Sequence, residues 1–580
     1  MKKNYIQWMC MGVLGVTVLL TGQACTEEWD DHYDKQPNNL GETSTLTLWE
    51  NIQNQAELAN FAKLCEKAGY DSILGKTSSG SMQSYTVWAP VLSDAEFERY
   101  NQMETAQMER ELLQNHIART KYIASGNISK NILLLNKKTA DFETVPEQFT
   151  FGGIEIQKDN VSSLNGMLYQ LSGVYQFLPN LWEKMDSDDN FSELSTYLHS
   201  FDDYVIDVEN SVVGNKVNGQ QTYFDSVMIN NNEKFREMGY FEREDSSYTM
   251  VLYTNKAWQE AIELMTPYFD YERAKGVAEG VRDSLRDANI KQFIVRNTVY
   301  NNNLQPMPEV DITEKDSIIS TSAYYYDNSG SESYYMKPEQ YAGYFSGAIR
   351  EKVSNGEVFI KDEFTIKPED GWFQPIVIEA ESPQGRVVNQ NSMMPNTYSV
   401  TSLTKNPKVS GSISDNRYME MGVNGNVAPQ VSFWLPNVLK GSYRVKVVLV
   451  PANIRIQDSL VVARPTQMRF ELNSGIPTDG SSTSTETSIA RVNLRGNVNL
   501  EESEYDYTKV DTVTIQWGRN EEDQIVDFDH CAYGLNSENS SRYSLSVRNL
   551  ASASNAALER NLRIDCIILE PVLDTASDKE

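Results

Sequence analysis

Four histidines (His32, His116, His199, His530) and five cysteines (Cys10, Cys25, Cys65, Cys531, Cys566) are the residues here best suited to metal or nucleophilic chemistry. Their spacing supports neither. No two cysteines form CxxC, the histidines lack ligand spacing, and G-x-S-x-G, HExxH, Walker A and G-x-G-x-x-G motifs are absent. Asp186-Ser187-Asp188-Asp189-Asn190 begins like an EF-hand loop, but Phe191 stands where that loop needs glycine, so the run reads as an inter-domain linker. With 81 Asp and Glu residues, counting alone does not exclude a convergent carboxylate pair of the glycosidase kind. The expectation is nevertheless a protein that is not an enzyme. What remains is binding chemistry. Tyr324, Tyr325, Tyr326, Tyr334 and Tyr335 crowd a segment broken by Asn, Ser and Gly, and Trp434 and Trp517 lie in extended segments. Exposed rings stack on sugar faces or fill protein interfaces at low entropic cost. The tyrosines are equally open to folding back over a sheet, and strand tryptophans are more often core.

The elements that position these residues must come from 580 residues, enough for three or four domains at ~150 residues each. A net charge of −30 repels nucleic acid, so no nucleic-acid partner is expected, and it keeps a surface protein soluble. Cys65 falls on the helical stripe Leu48, Ile52, Leu58, Phe61, Leu64 and reads as a buried small hydrophobe. Pairing of Cys531 with Cys566 is left open.

At the N-terminus, Lys2 and Lys3 precede an apolar run from Met11 to Leu20, then Thr21-Gly22-Gln23-Ala24 and Cys25. Residues 1–24 read as a secretory signal, too short to span a membrane comfortably. The cysteine after a small residue resembles a bacterial lipobox, although Gly22-Gln23 departs from the usual Leu-Ser or Leu-Ala. That resemblance implies acylation (palmitate-type chains) at Cys25; ordinary cleavage near Ala24 is the alternative. Residues 25–43, with Thr26-Glu27-Glu28-Trp29-Asp30-Asp31, resemble the acidic export tether of Bacteroidota surface lipoproteins, or else are a solvated linker. The implied location is the outer membrane, lipid-anchored and exposed at the cell surface.

Two stretches repeat. Asn165-Gly166-Met167-Leu168-Tyr169-Gln170-Leu171, running to Pro179, is matched by Asn355-Gly356-Glu357-Val358-Phe359-Ile360, running to Pro368. Upstream, Tyr85-Thr86-Val87-Trp88-Ala89-Pro90 before Ser93-Asp94 is matched by Tyr248 to Tyr253 before Thr254-Asn255. Each is a strand followed by a capped helix start, and the Asn-Gly pair tolerates positive φ. Helices mixed with a late run of strands predict an α+β fold, with one further helix through Glu111 to Ile117. These motifs, with Asn115-His116-Ile117, resemble the fasciclin domain family. The resemblance implies two β-wedge domains with helices, at 44–182 and 183–367, the second carrying the Tyr-rich insertion. The second copy departs from the pattern: Tyr253 replaces the proline and Phe293 the histidine. His116 has a counterpart linked to adhesion in animal members, but here it reads as structural.

After Trp372 helical periodicity gives way to short strands and Gly-Ser turns, predicting a β-sandwich over 368–580. Its opening Ile378-Glu379-Ala380-Glu381, central Gly441-Ser442-Tyr443 and closing Arg563-Ile564-Asp565 resemble carbohydrate-binding modules of the galactose-binding-like jelly-roll type. That resemblance implies a structural calcium on Glu379, Glu381 and Asp565. Strand alternation puts the two glutamates on one face, and hard oxygen donors suit the ion; ordinary exposed charges are the alternative. Together these resemblances imply a non-catalytic lipoprotein that binds glycan, or docks on a TonB-dependent polysaccharide transporter and its lid lipoprotein. The rival is an adhesin or scaffold with a protein or matrix partner and no glycan ligand.

Overall fold

Asn165 and Gly166 fix the geometry of the first folded segment. In this computed structural model the strand Gly166–Leu171 lies parallel to Tyr85–Pro90, in register from Tyr85 opposite Gly166 to Pro90 opposite Leu171. Gly166 leaves no room for a side chain, since a Cβ there would stand 2.0 Å from the Tyr85 carbonyl oxygen. Asn165 accepts from the Leu48 N–H (2.8 Å) and donates to the Leu74 carbonyl (2.7 Å), fastening two helix ends to the strand. The structure describes residues 45–76, 84–145, 148–208, 211–217, 219–225, 228–305, 307–323, 335–336, 344–388, 391–475, 488–492, 505–517, 524–535 and 542–573.

The strands of the first copy are Tyr85–Pro90 (β1), Ile117–Ala118 (β2), Ile128–Leu133 (β3), Thr139–Val145 (β4), Gln148–Phe151 (β5), Ile154–Ser163 (β6) and Gly166–Leu171 (β7). They form one sheet in the order β2-β1-β7-β6-β5-β4-β3. One face buries Val87, Ala89 and Leu168 against helices that carry Leu48, Phe61 and Leu64. The other buries Trp88, stacked on Phe151 at 4.4 Å between ring centroids. Capping boxes at Thr47/Glu50 and Ser93/Glu96 start the helices Leu48–Gln53 and Asp94–Gln102, satisfying their first N–H groups. The helix expected through Ile117 stops short. A π turn over Glu109–Leu113 and a 3-10 turn over Gln114–His116 precede an extended Ile117, which pairs with Val87. Sheet pairing outweighs local helix preference there.

In the second copy a ribbon comes first: Tyr204–Ile206 (β8), Val212–Val217 (β9), Gln220–Asp225 (β10) and Met228–Asn230 (β11), paired as β8 with β11 and β9 with β10. Tyr248–Tyr253 (β12), Val299–Asn301 (β13), Ile318–Ile319 (β14), Tyr335–Met336 (β15), Ile349–Val353 (β16) and Gly356–Lys361 (β17) follow. The sheet β13-β12-β17-β16 repeats the earlier arrangement, with Tyr248 opposite Gly356 in a parallel pair. At Gly356 a Cβ would lie 1.8 Å from the Tyr248 oxygen. Thr86 and Thr249, one residue into each first strand, are fully buried and satisfied by hydrogen bonds at their hydroxyls.

The chain divides into two compact units: Met1–Asn180 with Glu242–Asp245 and Val353–Asn355, and Leu181–Phe241 with Ser246–Lys352 and Gly356–Glu580. Within the first, buried Lys138 holds Glu244 (2.6 Å) and the Ser354 hydroxyl (3.0 Å). Apart from Glu242–Asp245 and Val353–Asn355, residues 183–580 fall in the second unit. Its internal ties include Lys440 to Asp270 (2.6 Å) and the Tyr271 hydroxyl to the Tyr533 carbonyl (3.0 Å).

The C-terminal strands are Ile376–Glu379 (β18), Arg386–Val388 (β19), Asn396–Ser399 (β20), Arg417–Met421 (β21), Gln430–Leu435 (β22), Gly441–Leu449 (β23), Met468–Gly475 (β24), Ser488–Val492 (β25), Asp511–Thr514 (β26), Ile525–Phe528 (β27), Arg542–Asn549 (β28) and Leu562–Val572 (β29). A seven-stranded sheet runs β20-β21-β29-β23-β26, with β18 on β29 and β27 on β23; a five-stranded sheet runs β19-β22-β28-β24-β25. Phe528 of the first sheet packs edge-on against Tyr543 of the second at 4.7 Å. The chain is α+β, and no helix among the described residues is long and apolar enough to cross a membrane.

The Gly166→Ala substitution is expected to destabilise the first copy by more than about 2 kcal/mol, because the added methyl meets backbone rather than a movable side chain. Thermal unfolding followed by calorimetry checks this; an unchanged first transition would contradict it.

Candidate functional site

The most unusual electrostatics lie where β18 meets β29. Glu379 pairs with Cys566, and the Ala380 N–H donates to the Asp565 carbonyl (2.9 Å), so the start of the closing strand lies beside both glutamates. β18 ends at Glu379, and Glu381 sits in the turn beyond it. Glu381 and Asp565 are buried, 5% and 2% exposed. The Ser414 hydroxyl donates to Glu379 Oε1 (2.7 Å), and the Ser414 N–H donates to both Asp565 oxygens (3.1 Å each). Burial, followed by the charges of Glu379, Glu381 and Asp415, pushes the Asp565 carboxyl up to about 7, against the lowering pull of the Ser414 N–H. Burial also raises Glu381, with Glu379 adding to it.

Two arginines oppose this charge: Arg417 Nε stands 3.7 Å from Glu381 Oε1, and Arg386, which donates to the Ala380 carbonyl (2.9 Å), lies in the field of Glu381. Glu379 Oε2 and Glu381 Oε2 are buried without a hydrogen-bond partner. Among the described residues no three His, Cys, Asp or Glu side chains already form a metal-binding set. The donor chemistry nevertheless fits calcium: hard carboxylate oxygens, two of them orphaned. Glu379, Glu381 and Asp565 are the residues that would hold the ion, and its charge would lower their shared cost of ionisation.

A second arrangement lies on the five-stranded sheet. Val431, Phe433, Leu435, Tyr543, Leu545 and Val547 point into the core and are at most 2% exposed. Alternation therefore turns the intervening residues to the opposite face. Register aligns Trp434, Ser544 and Asn473 in one row, and Ser432, Ser546 and Glu471 in the next. The three serines are buried, 3–6% exposed, with the Ser432 and Ser546 hydroxyls bonded to one another, whereas Trp434 and Asn473 are half-buried and the Arg542 guanidinium stands 5.6 Å from the Trp434 ring centroid. Amide and guanidinium groups beside an aromatic ring can hydrogen-bond and stack on a polar ring such as a sugar. A separate polar recess at the strand ends is lined by Arg464, Thr466, Tyr505, Glu559, Asn561 and Arg563.

The structure brings together the three residues expected at a calcium site. It does not bring the two tryptophans together: Trp434 is on β22, and Trp517 lies just past β26 in the other sheet, its indole N–H buried without a partner. Tyr324, Tyr325, Tyr326, Tyr334 and Cys25 lie outside the described residues, as do the signal and tether, 1–43; of Tyr335 only the backbone, in β15, is described. Cys531 and Cys566 are both free, buried thiols. His116 is fully buried, its Nδ1 bonded to the Leu112 carbonyl (2.7 Å) and its Nε2 accepting from the Tyr175 N–H (3.0 Å). Burial drives it down to about 4, which keeps it a neutral structural group.

Sequence reasoning missed Ser432, Asn473, Arg542, Ser544 and Ser546. The alternation Arg542-Tyr543-Ser544-Leu545-Ser546-Val547 was the available signal. It also missed the clasp formed by the supposed linker. His199 bonds Asp202 through Nδ1 (2.6 Å) and Asp186 through Nε2 (3.0 Å), and carboxylates at both nitrogens require the imidazolium form. Against the lowering effect of burial, those two bonds raise His199 above its ordinary value.

No family model matches the chain, and no curated protein matches it. Among solved structures it is similar to the FAS1 domain pair of the insect cell adhesion molecule Fasciclin I (12% identity, 54% of this chain and 98% of that one, TM-score 0.19). It is similar also to CBM35 from Paenibacillus barcinonensis (10% identity, 34% and 99%, TM-score 0.17). A third similarity is to the Podospora anserina GH26-CBM35 mannanase (12% identity, 34% and 28%, TM-score 0.16). Likenesses this low carry no argument about activity.

A carboxyl raised from 3.8 to about 7 binds its proton more tightly folded than unfolded, so without a cation it makes the fold lose stability as pH climbs through that window. The Asp565→Asn variant is expected to remove that loss, by an amount of up to about 4 kcal/mol. Denaturation midpoints from pH 4 to 8 in the presence of a chelator check it; an unaltered slope would contradict it.

Proposed function

We propose that this protein is a non-catalytic, cell-surface lipoprotein that binds glycan through its C-terminal β-sandwich. The observation that carries the reading is the outward face of the five-stranded sheet, where half-buried Trp434 stands in register with Asn473 through Ser544 and beside the Arg542 guanidinium. A pyranose ring stacks on the indole while its hydroxyls exchange hydrogen bonds with the Asn473 amide and the guanidinium. Calcium on Glu379, Glu381 and Asp565 would pin the first strand of the sandwich to the last, a structural role distant from the ligand in sequence. On this reading the sandwich is a jelly roll, the two copies before it are fasciclin-like wedges, and Cys25 carries the acyl anchor in the outer membrane. Docking beside a TonB-dependent transporter and its lid lipoprotein is part of the same proposal, supported by the signal-like start and acidic tether.

The rival, an adhesin or scaffold, gains from the β8–β11 ribbon. Tyr204 (61% exposed), Ile206 (39%) and Met228 (47%) occupy one side, and Val205 (36%) and Ile229 (41%) the other. Apolar groups on both sides of a two-stranded ribbon suit a protein partner.

A glycan panel probed with the purified chain tests the proposal. The expected result is binding to at least one polysaccharide, weakened about tenfold or more by Trp434→Ala and unaffected by Asn561→Ala. The reverse pattern would move recognition to the strand-end recess. Absence of binding across the panel would favour the protein-partner reading, with the ribbon as the next surface to alter.

A further inference from the structure

Two neighbouring loops of the β-sandwich expose aliphatic side chains to a degree found at few other places in the described chain. Leu460 is 95% exposed, Leu403 84%, Val462 70% and Ile456 49%. The loops are strapped together: the Ile456 N–H donates to the Thr404 carbonyl (2.8 Å), the Asn406 N–H donates to the Ile454 carbonyl (2.7 Å), and Lys405 bridges Arg455. The tip is therefore a built feature. Its turns are closed by Ser459 N–H to Ile456 carbonyl (3.1 Å) and Val461 N–H to Asp458 carbonyl (2.8 Å).

The charge around the tip opposes that of the chain as a whole. Residues 400–411 and 451–466 carry Lys405, Lys408, Arg455 and Arg464 against one acid, Asp458, in a protein of net charge −30. Asp458 is already bound to Arg455 Nε (2.5 Å), the same guanidinium faces Glu420 from the adjoining strand (3.8 Å), and Lys405 donates to the Gly411 carbonyl. Lys408 and Arg464 are exposed, with no acidic partner among the described residues. At physiological ionic strength screening acts over about 8 Å, so a surface touching the tip feels these cations far more than the distant acids.

We propose that this tip is a peripheral membrane-contact site, in which Leu403, Leu460 and Val462 enter the interfacial region of a lipid surface while Lys408 and Arg464 meet anionic headgroups. A leucine with nearly its whole side chain in solvent stands clear of its neighbours, which suits a fluid medium that closes around it. A flat protein interface would cover one side only. A second copy of this chain is disfavoured, because it would bring two cationic tips together. Aliphatic insertion flanked by Lys and Arg is the combination that makes interfacial binding depend on both apolar burial and anionic lipid.

The test uses the chain from Thr26 onward, without the apolar run Met11–Leu20 or Cys10 and Cys25, which leaves the buried Cys65, Cys531 and Cys566, and with Ser459→Cys carrying an environment-sensitive dye. The dye should shift to the blue and be quenched by brominated lipid on mixing with phosphatidylcholine vesicles containing phosphatidylglycerol. Neutral phosphatidylcholine vesicles should give a weaker response, and added salt should reduce the signal. Leu403→Ser, Leu460→Ser and Val462→Ser combined should weaken vesicle partitioning at least about tenfold, with unchanged thermal unfolding. A dye that stays in water with both vesicle types would overturn the proposal and leave the tip to an acidic protein. Equal response to neutral and anionic vesicles would overturn its anionic specificity, and a signal indifferent to the triple substitution would overturn insertion.

Discussion

Close approach of two parallel strands is the constraint on which both copies depend. Where β7 leaves its turn, its first residue faces the Tyr85 carbonyl at a separation that excludes a Cβ, and the same contact recurs between β17 and Tyr248. Parallel strands adjacent in a sheet must be joined by a long excursion. In the first copy that excursion contains β2 to β6, and in the second it contains β13 to β16. The asparagine before each glycine turns a tight strand entry into an anchor. Asn165 bonds to Leu48 and Leu74, and Asn355 to the Arg243 carbonyl.

This much was legible in the sequence because it is local. Asn-Gly, the aromatic-Thr strand and the Ser93 cap each announce themselves within a few residues. Elements defined by distant partners were not legible. β28 presents Ser544 and Ser546 to its outer face, and serine carries little strand preference, so only its pairing with β22 and β24 reveals it. The run from Asp186 to Asn190 looked like a linker because nothing local shows that His199 and Asp202 close over Asp186. The Ile117 error has the same cause, since its backbone is claimed by Val87 in another segment.

The candidate site divides along the same line. Glu379, Glu381 and Asp565 were identifiable as types at the two ends of the sandwich, but the burial of Glu381 and Asp565, and Ser414 as the shared donor to Glu379 and Asp565, come only from the fold. Buried carboxylates in one another's field are a standing electrostatic cost, which a bound cation would relieve. Trp434 was chosen as an aromatic in a strand, and its polar neighbours on that face, Asn473 and Arg542, come only from register. The candidate surface thus lies on long-range pairings, whereas the scaffold rests on local motifs.

Amide hydrogen exchange on the whole chain tests most directly whether the paired glycine strands hold each copy together. The account predicts that Met167–Leu171 and Val358–Lys361 exchange as slowly as β1 and β12, and far more slowly than the β8–β11 ribbon. Exchange of β7 or β17 at the rate of that ribbon would contradict it.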